Sequence, residues 1–196
     1  MDWKKYSKEL LCNISNDYNE LCKLINLKDA PRWRNLSYSL VCEKNIVSMI
    51  MGILDGKEYH YNMDIPLKKC IDIELSKEQN DEKSWQPDLV IQDKDNNIVA
   101  IIEIKYQIGY WEYGKDIEKV KNHKYENKTI FVNLLESNHG KKVKQVVDKF
   151  KNTGIEFYTL YNSNVIYNEI NGNKFENIYD DKQHGFEAFI EKTKNL

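Results

Sequence analysis

The chain has 196 residues, 41% hydrophobic and 12% aromatic, which suits one domain with a sizeable core and excludes a disordered composition. The formal net charge of -2 does not by itself mark a polyanion binder, and no apolar run approaches the ~18 to 20 residues of a membrane span. The opening MDWKKYSKELLCNI lacks the apolar region of a signal peptide, and the four cysteines form no CxxC pair, so reduced thiols, no zinc site and a cytoplasmic location are expected.

Charge is unevenly placed. Between Lys115 and Lys151, ten lysines stand against five acidic residues. A basic segment beside a more acidic remainder suits a polyanion ligand with an acidic site near it. Solvated helix faces give the same pattern.

In chain order, Leu10, Ile14, Leu21, Leu24 and Ile25 have a loose helical period, which Pro31 stops. A second helix is predicted over NLSYSLVCEKNIVSMIMGIL, residues 35–54, ended by Asp55-Gly56. EYHYNMDIPL and CIDIEL read as strands or one irregular hairpin, and SKEQNDEKSWQ as a charged loop. PDLVIQ is a strand with proline at its first position, where a missing N–H is tolerated. DKDNN has turn chemistry, and IVAIIEIKY is continuous enough for a strand buried on both faces.

A helix is expected near Lys115 to His123, then a strand in KTIFVNLL. KKVKQVVDKFKNT places Val143, Val146, Val147 and Phe150 on one helical face, with Gly154 as its cap. IEFYTLY is the next strand. From Ile98 onward the order is therefore β-α-β-α-β, which implies partly parallel pairing with right-handed crossovers. A hairpin around Asn171-Gly172 and a closing helix in GFEAFIEKTKN complete one domain, residues 1–196.

Three charges interrupt the two apolar strands. Glu103 and Lys105 share a face because side chains alternate along a strand. If DKDNN closes a hairpin, Asp88 at the start of one strand lies beside Glu103 and Lys105 at the end of the other. Burying such charges costs several kcal/mol each unless they are paired or bind a metal. Two carboxylate donors, with the Ile104 carbonyl as a third, suit Mg²⁺ or Mn²⁺, which keep several waters. The lysine would orient or help deprotonate a water at such an ion. The competing reading is a structural Glu103–Lys105 pair with Asp88 ending a loop.

Pro87-Asp88, fourteen intervening residues, then Glu103-Ile104-Lys105 resembles the PD-(D/E)XK nuclease superfamily over a core of about residues 35–161. The resemblance implies the restriction-endonuclease-like fold: a three-layer α/β core with a central mixed sheet flanked by helices. Here it would carry an N-terminal helix and a C-terminal hairpin plus helix. It implies Mg²⁺-dependent hydrolysis of phosphodiesters, with DNA as the partner, Asp88 and Glu103 as metal ligands and Lys105 beside the attacking water. A role in restriction, defence or repair rests on that resemblance alone.

On the second helix, Glu43 falls on the stripe formed by Leu36, Leu40, Val47, Ile50 and Leu54, where a charge needs a reason. The first core helix of the resembled fold often lends an acidic residue to the metal site, and Glu43 is that residue here; a snorkelling or paired glutamate is the alternative. Tyr106 and Gln107 follow the motif and would touch the phosphate or leaving group. Lys115 and Lys119, one helical turn apart, would meet the nucleic-acid backbone or be solvated surface lysines. Trp85, Tyr110, Trp111 and Tyr113 read as lid or core aromatics before base-stacking ones. A homodimer would place two such sites for double-strand cleavage. The rival functions are a nuclease-fold module that binds nucleic acid without efficient chemistry, and a structural or inhibitory partner protein.

Overall fold

The structure, a computed structural model, describes residues 40–67, 70, 85–105, 116–121, 125–134, 153–160 and 183–196 in full. It also describes isolated helical residues between 5 and 20 and at 148 and 150, and only the backbone of 31–39, 68–69, 106 and 112–115.

The polar stretch Asp93–Asn97 folds as the expected turn. Asp93 Oδ1 accepts the backbone N–H groups of Asp95 (2.9 Å) and Asn97 (2.8 Å), so the side chain imitates a backbone turn. Asn96 takes the left-handed conformation at φ 63°, which asparagine tolerates better than most residues. The turn joins β2 (Leu89–Gln92) to β3 (Ile98–Tyr106) antiparallel, with Leu89 opposite Ile102.

β1 (His60–Met63) adds to β2 antiparallel, while β4 (Thr129–Leu134) and β5 (Glu156–Leu160) extend β3 on its other side as parallel strands. The result is one five-stranded mixed sheet in the order β1-β2-β3-β4-β5. β3 is central, so its apolar run is buried on both faces as its sequence predicts. Gly154, at φ 77°, turns the chain into β5 where only glycine is unstrained.

Each face of the sheet carries its own core. On one, Leu89, Ile91, Ala100, Ile102, Ile104, Ile130 and Val132 pack against α1 (Pro31–Ile53) and α4 (Phe186–Lys194), with Leu10 and Ile14 joining from the N-terminal helical residues. On the other, Val90, Ile101, Phe131 and Phe157 meet Trp85, Phe150 and, from α3 (Glu112–Lys121), Ile117 and Val120. The architecture is therefore a three-layer α/β core. Among the described residues no helix is long and apolar enough to cross a membrane.

Several boundaries differ from the sequence expectation. α1 begins at Pro31 rather than Asn35, because proline is well suited to a first helical turn, where its N–H would be unpaired in any case. The segment from Leu67 to Cys70 is a helical turn, α2, and not a strand. Pro66 has no N–H to continue the β1 ladder, and the Leu67 N–H instead reaches the Trp85 carbonyl at 2.9 Å. α3 starts at Glu112 and ends at Lys121, whereas residues 115–123 were expected. CIDIEL beyond Cys70, most of the helix expected over 141–153 and the hairpin around Asn171-Gly172 lie outside the described residues.

Candidate active site

The register explains why a Pro-Asp pair stands at the head of β2. With Leu89 opposite Ile102, Pro87 falls opposite Ile104. In an antiparallel ladder Pro87 would supply an N–H to the Ile104 carbonyl, but proline has none. The Ile104 N–H in turn goes to Asp88 Oδ2 at 2.5 Å. The side chain of Asp88 thus replaces the last rung of the ladder and is fixed against the EIK segment. The Asp88 carbonyl accepts the Asp64 N–H at 3.4 Å, and Asp64 itself has φ 50°.

Asp88 and Glu103 face each other on the α3 side of the sheet. Both carboxyls are pushed to higher pKa. For Asp88 the first cause is burial, then the Glu103 charge, against the opposing Ile104 hydrogen bond; Glu43 adds to the upward push, and the value reaches about 7. For Glu103 burial again dominates, while Lys105 and a Trp85 side-chain hydrogen bond work against it. Glu103 is only 7% exposed, and among the described residues no donor of good hydrogen-bond geometry meets its Oε2.

Lys105 is the counter-charge. Its Nζ lies 2.5 Å from Glu103 Oε1 and 3.4 Å from Asp116 Oδ2 on α3. Burial disfavours its charge, but Glu103, then Asp116 and Asp88, outweigh burial and raise its pKa above the ordinary lysine value. Lys105 is consequently a held ammonium, a donor and a positive charge, able to orient a water.

Asp88, Glu103 and Lys105 are thus brought together as expected, with the Ile104 backbone between them. Glu43 comes from α1, the helix that covers the opposite face of the sheet. It is half-buried, on the side of the helix that carries the buried Ile46, Val47 and Ile50, whereas Leu40, expected on the same stripe, is 49% exposed. The Glu43 charge bears on Asp88. Among the described residues no three His, Cys, Asp or Glu side chains gather as a ready metal cage.

Tyr106 ends β3, Lys115 lies in α3, and of their side chains nothing is described; Gln107 is outside the described residues. Lys119 is exposed and 3.5 Å from Asp116 Oδ1. Trp85 is a buried core aromatic. Tyr110 and Trp111 are outside the described residues, and the Tyr113 side chain is not described.

Two features escaped the sequence reading. Asp116 closes the site from α3, and its only signal was an acidic residue between two lysines proposed as phosphate contacts. The second is a polar row across the sheet: the ladder aligns Lys105, Asn133 and Thr159 near the C-terminal ends of the three parallel strands. Asn133 Oδ1 and Thr159 Oγ1 are buried there without partners among the described residues. Polar residues inside TIFVNL and EFYTL, strands otherwise built for a core, were the available signal.

Fold and site together define an α/β protein whose central hairpin buries a charged cluster at one end. Comparisons with protein-family models, with curated proteins and with solved structures found no match.

Proposed function

We propose that the chain is a divalent-metal-dependent nuclease of restriction-endonuclease-like fold that hydrolyses phosphodiester bonds of DNA. The observation that carries this reading is the buried convergence of Asp88, Glu103 and Lys105, with no well-placed donor on Glu103 Oε2 among the described residues. A buried carboxylate oxygen without a donor is costly, and a cation is the partner that suits it. The donors fit Mg²⁺ or Mn²⁺: two carboxylates, plus an Ile104 carbonyl that faces a proline, leave room for the waters these ions retain. When bound, such an ion would offset negative charge on the phosphate and make a water more acidic.

The chain's own residues divide the rest. Asp88 is held in place by the Ile104 N–H, and Glu103 by Lys105. The Lys105 ammonium donates to the entering water or to a phosphate oxygen and balances charge that grows as the water oxygen bonds to phosphorus. The P–O bond to one sugar then breaks, and the proton released by the entering water offsets the one taken up by the departing sugar oxygen, leaving a phosphate monoester and a hydroxyl. Lysines of the 115–151 segment would meet the flanking phosphates.

Incubation with supercoiled plasmid and linear duplex tests this directly. Cleavage in Mg²⁺ and none in EDTA is expected. No cleavage of DNA with either Mg²⁺ or Mn²⁺ would overturn the assignment, and cleavage of RNA alone would overturn the substrate.

One observation favours a second reading. Lys105 already pairs with Glu103, and no three-carboxylate cage stands assembled among the described residues. That is compatible with a module that binds nucleic acid without cutting it, for which salt-sensitive binding with no cleavage is the expected result.

Lys119 offers a separate check on the nucleic-acid surface. If it meets a phosphate, Lys119→Ala lowers the slope of log affinity against log salt by roughly 0.9 and weakens binding similarly for all sequences. Anisotropy titrations at several salt concentrations measure it. An unchanged slope leaves Lys119 as a partner of Asp116 alone.

A further inference from the structure

Glu103 faces two competing demands. Its Oε1 is occupied by the Lys105 ammonium at 2.5 Å, yet the proposed chemistry needs this carboxylate for a cation. An ammonium lodged on a ligand oxygen opposes a divalent ion by like-charge repulsion and by occupying a lone pair. Lys105 therefore requires a second anchor that does not belong to the ligand set.

Asp116 supplies one. It comes from α3, a different element from the hairpin that carries Asp88 and Glu103. Its Oδ2 is 3.4 Å from the ammonium, while its Oδ1 faces Lys119 at 3.5 Å. The Asp116 side chain is only 20% exposed, so its pull on Lys105 is not fully screened by water. Just beyond it in sequence, Ile117 is buried in the core of that face, which fixes the helix and hence the carboxylate.

We propose that Asp116 is a positioning residue: it draws the Lys105 ammonium toward α3 when a divalent cation takes Glu103, and holds it there beside the reacting phosphate. The inference rests on the nuclease reading. Without Asp116, Glu103 is the only carboxylate within 4 Å of the Lys105 ammonium among the described residues, so a cation must compete with an undivided salt bridge. The substitution Asp116→Asn should weaken Mn²⁺ binding about tenfold, the size of a typical coupling between charges in contact. It should also lower kcat with little change in KM for DNA. Asp116→Glu should restore most of both.

Removing any nearby carboxylate weakens cation binding somewhat, so a double-mutant cycle separates the two causes. Mn²⁺ affinity is measured by electron paramagnetic resonance on the full chain without DNA, in wild type, Asp116→Asn, Lys105→Met and the double variant. If Asp116 acts through Lys105, Asp116→Asn has little effect once Lys105 is methionine. An equal loss in both backgrounds, or no loss in either, overturns the positioning role. Circular dichroism shows that each variant folds, and Asp116→Ala takes the place of Asp116→Asn if the latter does not. Wild-type protein that neither binds Mn²⁺ nor cuts DNA would remove the nuclease reading itself, whereas wild type that does both beside an indifferent Asp116→Asn removes this inference alone.

Discussion

Glu103→Gln and Lys105→Met should each reduce Mg²⁺-dependent DNA cleavage by at least ~10²- to 10³-fold, the range found when one charge-stabilising group is removed from a phosphoryl- or acyl-transfer site. The two losses differ in kind. Glu103→Gln leaves a neutral amide where a cation would sit, so metal affinity falls and excess Mn²⁺ recovers part of the rate. Lys105→Met keeps both carboxylates and removes the ammonium that competes for Glu103, so Mn²⁺ binds as well or better while cleavage is lost. Single-turnover rates across a metal titration, with circular dichroism as the fold control, separate these patterns. Cleavage that survives either substitution would sink the assignment of the site. The double variant should be little worse than the worse single one, because the residues act as a unit.

Asp88→Asn should do the opposite to stability. In the unfolded chain the Asp88 carboxyl titrates near its ordinary value of 3.8, whereas in the fold it holds its proton to about 7. The native state binds the extra proton between those values, so the contribution of Asp88 to stability is greatest below about 4 and declines as pH rises toward 7. Glu103 is shifted in the same direction and steepens the decline. The raised Lys105 pKa adds stability that stays constant across this window and is lost only in strongly alkaline solution.

At ~1.4 kcal/mol per pH unit the Asp88 shift corresponds to at most ~4 kcal/mol, and sharing with Glu103 makes ~2 kcal/mol the expected effect. Asp88→Asn retains an oxygen for the Ile104 N–H and removes the buried charge. The metal-free variant should melt ~5 °C above wild type at pH 8, scaled for a chain of this size, with the difference vanishing near pH 4. Mn²⁺ should raise the wild-type melting temperature and leave that of the variant unchanged. Thermal melts from pH 4 to 8, with and without Mn²⁺, test both halves. A variant less stable than wild type at pH 8 would show that Asp88 is a structural carboxylate paired in the native state. The expected trade, more stability for less activity, is characteristic of sites that keep unfavourable charge for chemistry.

Local sequence alone determined the hairpin and its register. Strand alternation put Glu103 and Lys105 on one face, DKDNN closed the turn, and Asp88 had to lie across from Glu103; each step depends only on neighbours along one or two strands. The β-α-β-α-β order likewise implied the parallel pairing of β3, β4 and β5 that is observed. Glu43 and Asp116 were decided elsewhere. A helical period places residues on a stripe but not the stripe's centre on the sheet. Glu43 shares the buried side of α1 with Val47 and Ile50, but only the packing of that helix on the sheet brings its charge to bear on Asp88. Nothing along the chain singled out Asp116; packing of Ile117 and Val120 brought its carboxylate to Lys105. The same holds for protonation. Sequence shows which groups titrate, but the burial and mutual repulsion that push Asp88 to about 7 and keep Lys105 charged exist only once strands and helices close around them.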